Sequence, residues 1–283
     1  MFFDTQLLMS RLTRILFIAP HADDIEVLCA STCQAAVDLG WEVHQNLSCA
    51  DEYGTDRVDF RGRRLARIRK AEMAKVARTY GVDAADQARV HLHWMHYIDG
   101  HVPFSRESVR SYKKFILDLS PDIICGPDPF FTIDRHTDHM AVGRNYYFAL
   151  KSMIPNQRPK IMLFYQSYLN NYFIRFSAWK RTLHLQMGHR SQFHPVLMKI
   201  FGVAGWFFWH RSVNCAWREA DKYRRVTFDP EAHQIKLSWK DPGFILKHLF
   251  FTYLARFGQP PPGYYQKPPV AEILRDYAVR GWV

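Results

Sequence analysis

The chain is poor in cysteine and has no long apolar run. Its five cysteines (Cys29, Cys33, Cys49, Cys125 and Cys215) are scattered and odd in number, which argues against a disulfide framework and for thiols in a reducing compartment. Cys29 and Cys33 stand four apart in CASTC, a spacing that suits one helix face and is not a C-x-x-C redox pair. No window reaches the ~18–20 continuous apolar residues of a membrane span. The opening MFFDTQLLMSRLTRILFIAP carries Asp4 early and no small-residue cleavage site, so no signal peptide is expected. The cytoplasm is the expected location. No G-x-G-x-x-G follows the first apolar run, which excludes the dinucleotide fingerprint, and no internal repeat is present.

Acid is scarce in the second half. Over residues 151–283, 20 Lys and Arg stand against 7 Asp and Glu. The chain as a whole carries +11, so the first 150 residues are slightly acidic. The basic excess is interleaved with rings in GWFFWHR and FILKHLFFTYLARF. In the second of these, Phe244, Leu246, Leu249, Phe250, Tyr253 and Phe257 recur at helical spacing, with Lys247 and Arg256 near the edges. That pattern suits a helix covering the core or one resting on an anionic lipid surface. The second case would place the protein at the inner membrane face. No nucleic-acid partner is expected.

What is present is a regular alternation. At 48% apolar and 23% charged residues the composition is that of a globular domain. TRILFIAP reads as a strand, VLCASTCQAAVDLG as a helix closed by Gly40, and WEVHQNLSCA as a second strand. RRLARIRKAEMAKVARTYGV is a helix, RVHLHWM a strand, SRESVRSYKKFILDLS a helix, PDIICGP a strand and HMAVGRNYYFALKSM a helix. This β-α alternation predicts an α/β fold, a Rossmann-like and mostly parallel sheet flanked by helices. KIMLFYQSY is a further strand and SAWKRTLHLQMGH a helix, whereas VNCAWREADKYRRVTF reads as either.

Two loops carry chemistry. The first strand ends in PHADD, and the strand DIICGP leads to HTDH. In open parallel sheets ligands bind beyond the carboxyl ends of the strands, so these segments are expected to meet. His21, Asp24 and His139 then form a mixed imidazole and carboxylate set of three. That is the ligand count of catalytic zinc with an open fourth position. A divalent cation would offset the repulsion between Asp23 and Asp24, leaving one carboxylate to take a proton from metal-activated water. His136, three residues before His139, can donate to an oxyanion, with Asp138 orienting it. The competing reading makes these histidines caps of the following helix. HLHWMH offers His91, His93 and His96 as a weaker candidate, on a strand with no carboxylate nearby in sequence.

At these residues the chain resembles the PIG-L/LmbE family of zinc-dependent N-acetylglucosaminyl deacetylases. PHADDIE and RHTDH match its two main motifs; DEYGT, IRKAEMAKVARTYGV, YIDGH, SAWKRTLHLQMGHRSQF and WREADKY resemble its lesser ones. The resemblance implies a deacetylase domain over residues 1–226, with residues 227–283 as a C-terminal extension packed on it. It implies zinc on His21, Asp24 and His139, Asp23 as general base, and His136 with Asp138 at the oxyanion. Glu52, Arg69 and Asp99 fall at positions that line the sugar site in the family, although Arg69 can equally form an intrahelical ion pair with Glu72. The chain departs from the family where VLCAST replaces a glycine-rich segment, so helix packing there must differ. The implied substrate is an acetylated amino sugar or its conjugate. Two alternatives remain at this point, a metal-dependent phosphoesterase and a basic-aromatic binding module.

Overall fold

The structure, a computed structural model, describes residues 13–192 and 220–228, apart from residues 56–57, 133, 135, 168 and 176–178. Strand β1 (Arg14–Ala19) is followed by helices α1 (Asp24–Leu28) and α2 (Ala30–Asp38), strand β2 (Glu42–Cys49) and helix α3 (Arg63–Tyr80). Next come β3 (Val90–Tyr97), α4 (Arg106–Leu119), β4 (Ile123–Pro127) and α5 (Thr137–Lys151). β5 (Ile161–Tyr165), β6 (Tyr172–Arg175), α6 (Trp179–Gln186) and β7 (Ala220–Val226) complete the described elements.

The seven strands form one sheet in the order β3-β2-β1-β4-β5-β7-β6. β1 to β5 run parallel, while β7 pairs antiparallel with β5 and β6. Ile15 to Ala19 are fully buried, as a central strand covered on both faces requires, and this is why β1 reads as an unbroken apolar run. One apolar cluster lies under α1, α2 and α3, another under α4 and α5. The strand order reverses between β1 and β4. Loops leaving those two strands turn to opposite faces and open a crevice between them. PHADD leaves β1 and the H-x-D-H loop leaves β4, so topology alone brings the two motifs to that crevice.

The structure differs from expectation in the first helix. The stretch expected to be one helix is broken at Cys29, whose φ of −136° lies outside the helical region. The physical reason is a remote cap: Asp221 of β7 accepts from Thr32 N at 2.7 Å and from Thr32 Oγ1 at 2.6 Å, satisfying donors in the first turn of α2. The break frees the first turn to serve the crevice while α2 packs on the sheet. This is also where VLCAST departs from the family. α2 closes as expected, with Gly40 just past its end at φ +73°, where a side chain would be strained.

The segment read as helix or strand is a strand over Ala220–Val226. Cys29, Cys33, Cys49 and Cys125 are buried free thiols. No helix among the described residues is long and apolar enough to cross a membrane. GWFFWHR, the 244–257 segment, Cys215 and the extension beyond residue 228 lie outside the described residues, and with them the expected lipid-facing surface.

Candidate metal centre and active site

His21 stands in the turn between β1 and α1, and its backbone N–H donates to Asp24 Oδ2 at 2.9 Å. This local bond sets the Asp24 carboxylate beside the imidazole of His21. Across the crevice, α5 starts at His136 as its N-cap, with Nδ1 accepting from Asp138 N at 3.2 Å. His139 lies one turn in. His21 Nδ1 and His139 Nε2 face one another at 3.2 Å. Asp24 closes a triangle, its Oδ1 at 3.4 Å from His139 Nε2 and its Oδ2 at 3.7 Å from His21 Nδ1.

Hydrogen-bond polarity fixes both rings. His21 Nε2 faces Asp138 Oδ2 at 3.2 Å and Asp99 Oδ1 at 3.4 Å. Asp138 also accepts from the N–H groups of Gly100 and Val102. Burial would raise its pKa, but the neighbouring imidazole of His21 outweighs this and lowers it. An ionised carboxylate can only accept, so His21 carries its proton on Nε2. His139 Nδ1 faces Asp134 Oδ2 and Gln166 Oε1, both at 3.0 Å. Asp134 is likewise ionised, since the imidazole of His139 and the backbone N–H of His136 outweigh burial and hold its pKa well below the usual range. His139 therefore carries its proton on Nδ1.

Two neutral imidazoles held in this way turn their lone pairs toward each other, with a carboxylate alongside. Something positive must lie between them. Protons can meet that demand: burial alone would lower both pKa values, but the surrounding carboxylates raise His21 well above its ordinary value and His139 to about 9. A divalent cation meets it as well. The 3.2 and 3.4 Å separations lie near the ~3.3–3.5 Å between ligands that sit ~2.0–2.1 Å from a tetrahedral ion, while the 3.7 Å one runs to the other oxygen of Asp24. The residues fit zinc.

The other expected residues are placed as follows. Asp23 is buried beside the triangle, with its Oδ2 at 3.9 Å from Arg69 Nη1. His136 lies within 4.7 Å of the His21 ring and 5.3 Å of the His139 ring, measured between centroids. Burial and the neighbouring imidazoles lower its pKa to about 3. It is thus neutral, with Nδ1 accepting and Nε2–H available. The His136 and Asp138 side chains approach to 4.0 Å at Nδ1, longer than a hydrogen bond, because Nδ1 accepts from the Asp138 backbone N–H. Asp138 turns to His21 instead. The capping reading holds for His136 but not for His139.

Glu52, Arg69 and Asp99 are each at most 2% exposed. Asp99 accepts from Tyr53 N and faces His21. Arg69 donates to Gly54 O at 2.8 Å, reaches Asp51 at 3.4 Å and bonds Gln192. The alternative ion pair of Arg69 with Glu72 is absent, since Glu72 instead accepts from Ser191 N and Oγ. Arg63, Arg64 and Arg67 line a separate cavity of about 400 Å³ on α3.

Sequence reasoning missed Asp51, Asp134 and Gln166. Asp51, at the end of β2 with φ +54°, accepts from Ala22 N at 2.8 Å and so holds the PHADD turn. Burial pushes its carboxyl up to about 7. A carboxylate at a strand end was the signal for Asp51. Among the described residues, two groups of side chains bring their ligand atoms mutually close, His21, His136, His139 and His21, Asp99, His136, Asp138; both share His21 and neither includes Asp24, whose two oxygens each approach a different ring. Of the HLHWMH histidines, His93 joins His44 of β2 at 2.9 Å, which in turn joins Glu42 at 2.8 Å, while His91 stacks on His44 and His96 faces Lys70.

A family profile described as PIG-L, GlcNAc-PI de-N-acetylase matches residues 16–150. That span begins in β1 and ends in α5, and it contains both motifs of the site. Over these residues the chain matches the PIG-L/LmbE-like de-N-acetylase family. A diacetylchitobiose deacetylase of Thermococcus kodakarensis is 25% identical to it over 197 residues, 64% of this chain and 70% of the relative. The fold is shared with N,N'-diacetylchitobiose deacetylase from Pyrococcus horikoshii in complex with its inhibitor. There the TM-score is 0.68 at 24% identity, over 81% of this chain and 91% of that one. It is shared too with the zinc-inhibited form of a teicoplanin deacetylase, at a TM-score of 0.59 and 13% identity over 77% and 100% of the two chains. The α/β architecture with a mostly parallel sheet is thus that of the LmbE-like fold.

Proposed function

We propose that this protein is a zinc-dependent hydrolase that removes the N-acetyl group from an acetylated amino sugar or its conjugate. The observation that carries the reading is the pair of imidazole lone pairs, His21 Nδ1 and His139 Nε2, converging at 3.2 Å beside Asp24. Zinc held by His21, Asp24 and His139 would polarise the acetamide carbonyl and lower the pKa of water to about 7. Two imidazoles in the set favour zinc over magnesium, which counts against the phosphoesterase alternative.

The chain's own groups divide the remaining work. Asp23 borders the triangle without belonging to it, and as general base it takes a proton from the attacking water. Arg69, buried and anchored by Asp51 and Gly54, holds the Asp23 carboxylate in place from 3.9 Å. The neutral His136 presents Nε2–H as donor to the oxyanion that forms as water adds to the carbonyl. Collapse breaks the C–N bond, the amine nitrogen receives the proton carried by Asp23, and acetate and a free amine result. Asp99 and Asp138 hold His21 from behind; in this reading Asp99 positions that ligand rather than binding sugar. Glu52 and Arg69 are buried, and Arg69 reaches Asp23.

The test is acetate release from a panel of N-acetylglucosaminides by the purified chain, before and after chelation and with zinc restored. Turnover that chelation abolishes and zinc restores supports the reading. Turnover indifferent to chelation would overturn it, as would phosphate release from sugar phosphates without acetate release.

A further inference from the structure

We propose that Asp134 and Gln166 together are the positioning brace of His139, fixing its tautomer so that Nε2 alone is offered to the metal, and that the same carboxylate registers His136. The proposal rests on the metal-site reading above. It is built from a closed ring of three hydrogen bonds. His139 Nδ1 lies 3.0 Å from Asp134 Oδ2 and 3.0 Å from Gln166 Oε1, while Gln166 Nε2 donates to Asp134 Oδ2 at 3.1 Å.

The ring has only one consistent polarity. If the Gln166 amide were turned over, its oxygen would face the Asp134 carboxylate and its NH₂ would face a ring N–H. Both contacts would be repulsive. Oriented as it is, the amide gives its donor to Asp134 and its acceptor to His139, so Nδ1 must hold the proton. Each member excludes the other tautomer of the third.

Two further contacts tie the brace to the protein. Asp134 Oδ1 accepts from His136 N at 2.8 Å, and Asp134 N donates to Thr132 Oγ1 at 3.0 Å. One carboxylate therefore sets the direction of His139 and the backbone position of His136 at the start of α5. Gln166 enters from the far side, one residue past β5, with φ +57°. A residue with a Cβ adopts that left-handed backbone at a cost, and here the conformation delivers the amide to His139. The brace draws on two different strand ends, those of β4 and β5, so His139 is clamped between neighbouring loops.

Competition with a chromophoric chelator measures zinc affinity directly, apart from activity. Asp134→Ala is expected to weaken zinc binding by about 10- to 100-fold, the range for carboxylates that orient a metal-bound imidazole. Asp134→Asn, which keeps an acceptor oxygen, should recover part of the loss, and Gln166→Ala should lose less than Asp134→Ala. The double variant should lose less than the product of the single losses, because both act through one nitrogen. Thr132→Val loosens the same loop without touching Nδ1 and should lower zinc affinity far less than Asp134→Ala. In the Co²⁺-substituted protein, the visible spectrum should change in the Asp134 variants and not in Thr132→Val. If Asp134→Ala does not fold, Asp134→Asn and Gln166→Ala carry the same comparison.

Unchanged zinc affinity and an unchanged cobalt spectrum in folded Asp134 and Gln166 variants would overturn the brace, whatever their thermal stability. Equal loss in Thr132→Val would also overturn it, reducing Asp134 to a loop anchor. If the unmodified chain bound no zinc, the metal reading itself would fall, a failure seen before any variant is made.

Discussion

Replacing one or the other of the two adjacent carboxylates separates metal retention from proton transfer. Asp23 is the N-cap of α1 by position, yet its side chain makes no capping hydrogen bond, so Asp23→Asn costs the helix nothing by that route. Arg69, 3.9 Å away, is anchored independently by Asp51 and by Gly54 O, so the change should not move it. The three edges between His21, His139 and Asp24 do not involve Asp23. Zinc content should therefore match that of the unmodified chain. Turnover should fall by about 10²- to 10⁴-fold, the scale of a lost general base, equivalent to about 3–5 kcal/mol of barrier. Asp24→Asn removes the charge that faces two lone pairs, and zinc affinity should fall by at least about 100-fold, beyond the loss expected for an outer partner. Chelator competition and acetate release at saturating zinc read the two effects separately. Equal zinc loss in both variants would refute this division of labour. So would an Asp23→Asn protein that keeps its turnover within about fivefold.

Three further outcomes follow from the packing. His189 and Glu26 form a pair 3.1 Å apart with both side chains fully buried, so His189→Ala should destabilise the protein by about 3–5 kcal/mol. That is a drop on the order of 10 °C in melting temperature, and a drop below about 2 °C would show the pair to be dispensable. A Cβ on Gly143 would meet Pro127 O at 2.9 Å and the Pro129 Cα at 3.0 Å, backbone atoms that cannot turn aside. Gly143→Ala should cost about 1–3 kcal/mol in a denaturant melt, and unchanged stability would refute the contact. Burial raises the carboxyl of Asp221 to about 7 in the fold, above its unfolded value of about 4. The folded state then binds the extra proton, so this group lowers stability as pH rises from about 4 to 7, with the penalty fully present above 7. Asp221→Asn keeps an oxygen for Thr32 and should remove that slope, gaining about 1–4 kcal/mol at pH 8 and little at pH 4. A slope unchanged in the variant would refute it.

The elements that were legible in the sequence are those whose pattern is local. β1 reads as a strand because a central parallel strand is apolar on both faces, and α3, α4 and α5 carry their periodicity in their own residues. The break at Cys29 could not be read in this way. It depends on Asp221 reaching back to Thr32, from a strand nearly the whole described chain away. Likewise the Arg69–Glu72 spacing permits an intrahelical pair, but Ser191 takes Glu72 and Asp51 takes Arg69. Tertiary partners outbid a spacing worth only ~0.2–0.5 kcal/mol on a helix surface.

The site divides along the same line. His21, Asp24, His136 and His139 stand at the carboxyl ends of β1 and β4, and the reversal of strand order there makes their meeting a matter of topology. What spacing could not supply is which nitrogen of each ring is free, because that is decided by acceptors from other loops. Asp99 shows the difference: the family resemblance implies a sugar contact there, and nothing local to it tells that its Oδ1 also faces His21 Nε2 at 3.4 Å. Gln166 belongs to no motif at all, and it matters only because β5 ends beside β4. With Asp99 and Asp138 behind one imidazole and Asp134 and Gln166 behind the other, the two inward nitrogens are left as lone-pair donors. The outer ring of acceptors, more than the histidines themselves, turns this crevice into a place for a cation.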